Sequence, residues 1–156
     1  MLARYRPLLV ILGVILLGSL ALQTGSDGDI LIFMRSFMGL FFTIFAMFKL
    51  IDVAGFAKGF KKYDIVAQNW APYATLYPFL ELALGLLYFS GFLPDITAFF
   101  TLALMIVSAA GIAREMRRGN EFTCACLGTT LNVPLSTVSL IETVGMGVMA
   151  AAMLFA

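Results

Sequence analysis

Histidine is absent from this sequence, and cysteine occurs only twice, at Cys124 and Cys126. Lack of histidine removes the commonest metal ligand and the usual proton carrier near neutral pH. It also rules out any nucleophile–histidine–acid set. No Gly-rich phosphate loop or nucleotide motif is legible either. Charge is scarce: 12% of the residues are charged, against roughly a quarter in soluble domains. No basic face is interleaved with aromatics, so nucleic acid is excluded as a partner.

What remains is apolar. Hydrophobic residues make up 62% of the 156. They gather into blocks too long for strands or ordinary core helices, near the ~20 residues that cross a bilayer. The expectation is an all-α, polytopic transmembrane helix bundle, one membrane domain over 1–156, with the lipid bilayer as its first partner. Residues 1–29 read as an N-terminal helix and an outer turn. The basic start at Arg4 and Arg6, with the apolar run 7–22, has the outline of a signal peptide. The sequence Ala21-Leu22-Gln23-Thr24-Gly25 is a poor cleavage site, so a retained helix is expected. Further spans are expected over 30–51, 73–92, 96–113 and 133–155, making five. Arg35 and Lys49, inside the second span, are expected to snorkel toward headgroups. Segment 52–72 reads as amphipathic and interfacial. Phe56, Phe60 and Tyr63 recur there at helical spacing, with Lys58, Lys61 and Lys62 between them. Trp70 and Tyr73 follow where an aromatic belt would sit.

Of the ten basic residues, all but Arg35 and Lys49 flank one side of these spans. The opposite loops hold none. The positive-inside rule then predicts a bacterial inner (cell) membrane protein. Its N-terminus and cysteine loop face the cytoplasm, and its C-terminus faces the periplasm.

Chemistry is confined to few residues. A Cys-x-Cys pair chelates a soft cation or cycles between dithiol and a strained disulfide. Two small apolar residues packing at a helix start is the plainer alternative. Arg117 and Arg118 lower the thiol pKa if they lie close. Glu81 and Glu142 fall inside spans, where a carboxylate is a functional candidate by default. At 1.5 Å per residue they lie about 12 and 10 Å below the cytoplasmic helix ends, on a shared level. Each acid instead makes an interhelical hydrogen bond, or pairs with Lys49, in the structural alternative. Pro78, ahead of Glu81, frees backbone carbonyls beside it. Met34 and Met38, with Met146, Met149 and Met153, form stripes that read either as packing or as a thioether path.

The chain resembles the MauE/DoxX family of redox-associated membrane proteins. The resemblance is carried by Phe37-Met38-Gly39-Leu40, Phe48-Lys49-Leu50-Ile51-Asp52 and Tyr63-Asp64-Ile65-Val66-Ala67. It continues in Tyr77-Pro78-Phe79-Leu80-Glu81-Leu82-Ala83-Leu84-Gly85 and in Arg118-Gly119-Asn120-Glu121-Phe122-Thr123-Cys124-Ala125-Cys126-Leu127-Gly128. The family's usual Cys-Gly-Cys-Phe-Gly stands here as Cys124-Ala125-Cys126-Leu127-Gly128. The resemblance implies a four-helix core over 30–156, to which the first helix is an addition. It also implies a part in making or maintaining disulfides in an exported partner, of the type of the methylamine dehydrogenase small subunit.

The expected role is a thiol–disulfide accessory protein, at most an oxidoreductase component, with Cys124 and Cys126 as its redox pair. A thioredoxin- or glutaredoxin-like protein and an exported disulfide-containing protein are its expected partners. A quinone or a soft metal ion is the cofactor left open, as is an oligomeric state. The alternative is a Cu(I) or Hg(II) carrier in which Cys124, Cys126, Glu81 and Glu142 are ligands. Lys49, Pro78, Arg117 and Arg118 support the site in either case.

Overall fold

Aspartate, proline and glycine punctuate the apolar sequence, and they decide where its helices begin and end. In a computed structural model the chain is described over 6–24, 28–119 and 137–156, with the backbone of 123–124 and 133–134. Those residues form α1 (Arg6–Gln23), α2 (Ile30–Ile51), α3 (Val53–Phe60), α4 (Ile65–Asn69), α5 (Ala71–Ser90), α6 (Pro94–Arg117) and α7 (Thr137–Phe155). Two short strands, β1 (Thr123–Cys124) and β2 (Val133–Pro134), pair antiparallel between α6 and α7. The side-chain oxygens of Asp29, Asp52 and Asp64 accept from the first free backbone N–H groups of α2, α3 and α4. Prolines open α5 and α6, where a missing N–H costs nothing. Gly91 closes α5 in the left-handed region at φ 65°.

Helices α1, α2, α6 and α7 are each long and apolar enough to cross a membrane. The third expected span, 73–92, corresponds to α5, which has 20 residues and so the length. Its apolarity is diluted by Tyr77, Pro78 and Glu81, which it buries. Antiparallel packing of α2 on α5 is fixed by contacts from Arg35–Tyr88 at one end to Lys49–Glu81 at the other. Tyr88 donates to Thr101 at 3.0 Å, and the Tyr77 and Ser108 hydroxyls meet at 3.2 Å, which sets α6 against α5. Helix α7 lies along α6, and α1 lies along α2 with Leu8, Ile15 and Ser19 buried.

Two expectations change here. Lys49 does not snorkel. It is 5% exposed and turned into the bundle, because a carboxylate waits there. Arg35 donates to the Tyr88 carbonyl at 3.4 Å. It thereby places its charge at the C-terminal end of α5, where the helix dipole favours a cation. The apolar face of 52–72 meets the bundle and not lipid. Phe56, Phe60 and Tyr63 are buried against Tyr77 and Ile112. Rings of Phe56 and Phe60 stack at 5.0 Å, and Phe60 meets Tyr77 at 4.4 Å. Helix α3 is therefore a cap over the end of α2, while Lys58 and Lys62 point outward.

Four of the five striped methionines resolve into packing. Met38 and Met146 are core residues, and Met149 and Met153 pack against that core.

Close approach of α2 and α5 depends on Gly85. A methyl group there would meet Thr43 Oγ1 at 2.5 Å, the Thr43 nitrogen at 3.0 Å and the Gly39 carbonyl at 3.2 Å. Two of those atoms are backbone, so the helices would have to part. Gly85→Ala is expected to destabilise the protein by about 1–3 kcal/mol, read as a lowered unfolding midpoint in detergent. Gly145→Ala, with nothing within 4 Å, is the control and should leave the midpoint level or raised.

Candidate functional site

The site is built around one ion pair. Lys49 Nζ lies 2.6 Å from Glu81 Oε1 and 2.5 Å from Oε2. Both residues are buried, at 5% and 3% exposure. An isolated charge in such a place costs several kcal/mol, and a partner in good geometry offsets most of it. Two further features favour the ammonium. It sits over the faces of Tyr77 and Phe56, 5.1 and 5.4 Å from their centroids. It also lies in the last turn of α2, at the negative end of the dipole.

Beside the pair is a cavity of about 50 Å³, walled by α2, α3, α5, α6 and α7. Phe45, Phe56, Phe60 and Met146 supply apolar wall, and Tyr77, Ser108 and Glu142 supply polar groups. One oxygen of Glu142, Oε1, is buried with no hydrogen-bond partner among the described residues. An apolar cavity of about 150 Å³ is what a benzene ring fills, and one water needs about 10–15 Å³. A cavity of this size with these polar groups suits a few waters and is too small for a ring.

Glu81 and Glu142 thus line one cavity, as their shared depth predicts. They differ in state: Glu81 gives both oxygens to Lys49, while Glu142 faces the cavity. Pro78 is buried one turn before Glu81, and α5 runs through it without a break. Having no N–H, Pro78 gives nothing to the Ala74 carbonyl one turn back. Arg118 is committed to the buried Glu115 at 3.1 Å, so its charge is already partly balanced. Arg117 is exposed.

Cys124 enters the structure through its backbone alone. It belongs to β1, faces Val133 across the two-stranded ladder, and β1 lies against α3. Strand β1 therefore rests on the cap whose Phe56 and Phe60 wall the cavity. Cys126 and both thiol groups lie outside the described residues. Among the described residues no three His, Cys, Asp or Glu side chains gather as a metal site.

Ser108 and Glu115 belong to this end of the bundle and escaped the sequence reading, while Tyr77 and Asp64 entered it only through the family resemblance. A signal for Tyr77 was present: Tyr73, Tyr77 and Glu81 recur every fourth residue and so share a face. Ser108 is one of three hydroxyl residues, with Thr97 and Thr101, in an otherwise apolar span and could be assigned only once α6 was placed.

A family model described as Methylamine utilisation protein MauE matches residues 28–156. The chain belongs to the MauE family. Helices α2 to α7 fall within the match, and α1 precedes it. No curated protein and no solved structure matches the chain.

Asp64 yields a pH test. Its Oδ1 accepts from Val66 and Ala67 N–H at 3.0 and 2.8 Å, while Oδ2 is buried without a partner among the described residues. Burial pushes this carboxyl above the ordinary aspartate value, more than the two N–H groups pull it down. The folded state then holds the proton more tightly than the unfolded state. Stability falls as pH rises from the ordinary value of about 3.9 through the raised folded value. Asp64→Asn keeps an oxygen for the cap and removes the titration. The variant should lose that downward component of the midpoint-versus-pH curve. An unchanged curve would show that Asp64 is not the group responsible.

Proposed function

We propose that this member of the MauE family is a membrane thiol–disulfide accessory protein that assists disulfide formation in an exported partner. Cys124 and Cys126 are the redox pair. The partner is of the kind that the family's name implies, a methylamine-utilisation protein such as the methylamine dehydrogenase small subunit. The observation that carries this reading is the family match extending over the Cys-x-Cys loop. The backbone of Cys124, set against the α3 cap of a polar cavity, supports it.

The chemistry is exchange. A thiolate of a reduced partner attacks one sulfur of the Cys124–Cys126 disulfide, and the other sulfur leaves as thiolate. The partner's second thiolate then resolves the mixed disulfide. Two electrons pass to the pair, which ends as a dithiol, and the partner ends as a disulfide. A tight Cys-x-Cys disulfide is strained, which makes it the oxidant of the two. Reoxidation returns the electrons to a thioredoxin- or glutaredoxin-like disulfide or to a quinone. The chain has no second cysteine pair, so a partner or cofactor links the cytoplasmic pair to the exported protein, or a helix movement exposes the pair to both sides.

Placement follows from charge. Lys58, Lys61, Lys62, Arg114, Arg117 and Arg118 gather at the end from which the cysteine loop leaves α6, and the positive-inside rule supports a cytoplasmic side for that end and a periplasmic C-terminus in a bacterial inner membrane. A soft-metal carrier has no observation in its favour, since Glu81 is already committed to Lys49.

Replacing Cys124 or Cys126 singly with Ser should abolish oxidation of the exported partner. Thiol alkylation of that partner, recovered from cells grown on methylamine, checks this. Full oxidation in the double variant would end the proposal. A membrane-impermeant thiol reagent should label the pair only after spheroplasts are permeabilised, and labelling beforehand would reverse the orientation.

A further inference from the structure

Helix α6 ends in Ala110, Ala113, Arg114, Arg117 and Arg118, positions that fall on one helical face. Together they line an open cleft of about 480 Å³. Helix α6 is long and apolar enough to span the membrane, so the cleft lies where the helix leaves the hydrocarbon. Its two sides differ in chemistry. Two alanines leave space on the hydrocarbon side, and three guanidiniums stand on the water side.

Among the described residues the charge of this face is not cancelled from within. Glu115 is buried, lies 3.1 Å from Arg118 and is 3.9 Å from Nε of Arg114. Arg117 has no ion-pair partner among the described residues. Gln68 of α4 extends the rim. Its amide donates to the Lys62 carbonyl at 3.1 Å, and its oxygen accepts from Arg114 at 3.5 Å. The rim is therefore continuous with the Lys61–Lys62 turn and remains positive.

We propose that this cleft is a binding site for a phospholipid with a net anionic headgroup. The alanine side takes the start of an acyl chain, and the arginines take the phosphate oxygens that a guanidinium fork matches. Charge complementarity selects this occupant. A zwitterionic lipid brings a cation of its own to a positive rim, and a soluble anion leaves the alanine side empty. The site is separate from the Lys49–Glu81 cavity and does not depend on thiol chemistry.

Native mass spectrometry of the full-length protein, with phosphatidylglycerol and phosphatidylcholine of matched chains, tests the site. The wild type should retain phosphatidylglycerol preferentially. Arg117→Gln should reduce the preference about fivefold, the effect of one basic residue at a membrane surface. Arg118→Gln should reduce it less, because Glu115 already offsets that charge. Ala110→Leu fills the cleft without changing charge and should also weaken retention. Equal retention of both lipids by the wild type would overturn the proposal. So would an Arg117→Gln variant with unchanged preference, or loss that follows Lys58→Gln and Lys62→Gln instead. Displacement of the lipid by excess inorganic phosphate would identify a soluble anion as the occupant and would equally overturn it. Circular dichroism of each variant verifies that helicity is retained.

Discussion

The ion pair between Lys49 and Glu81 is the constraint on which the rest of this structure depends. Neither charge is tolerable alone in a membrane bundle, so each fixes the other. Their meeting sets the register of α2 against α5. It also places Tyr77 one turn from Glu81, where the ring can lie against the ammonium and against Phe56 and Phe60. Helix α3 is then held down over the end of α2 by that aromatic packing. The small polar cavity, the cap above it and the strand that carries Cys124 all follow from two residues that had to find one another.

The family match supports an accessory membrane protein of methylamine utilisation. The cavity is about a third of the volume that one aromatic ring fills, and its open oxygen belongs to Glu142. The backbone of Cys124 lies in β1, which rests against the α3 cap. Macromolecular exchange needs the reactive group at a surface, where a partner's thiol can approach in line with the disulfide. Arginines of α6 stand just before the cysteine loop, so the lipid environment and the thiol element are neighbours in the chain.

Much of the fold was legible in the sequence because its signals are local. Apolar blocks of spanning length mark the long helices, and Asp29, Asp52, Pro72, Pro94 and Gly91 mark their ends. The depth of Glu81 and Glu142 could be measured along each helix by its rise alone, and the two do share a cavity. What periodicity cannot supply is the partner across space. The spacing of Phe56, Phe60 and Tyr63 reveals an apolar face, yet lipid and protein are equally apolar, so nothing in that spacing says which covers it. Lys49 and Arg35 look alike as cations near span ends. One turns inward to a carboxylate on α5 and the other to the carbonyl of Tyr88, a distinction made by residues far along the chain. Ser108 became visible only when α5 and α6 were set side by side. For the thiols themselves, the sequence and the family match remain the evidence, since the side chain of Cys124 and all of Cys126 lie outside the described residues.

A double-mutant cycle on Lys49 and Glu81 tests the central claim most directly. The unfolding free energies of the wild type, Lys49→Met, Glu81→Leu and the double variant would be measured in the same lipid–detergent mixture. Each single change strands a buried charge and should cost about 3–5 kcal/mol, while the double variant should recover much of that loss. A coupling of at least about 2 kcal/mol is the result this account predicts. Additive losses, with no coupling beyond about 0.5 kcal/mol, would contradict it, and the pair would then not be what holds α2, α5 and the cap together.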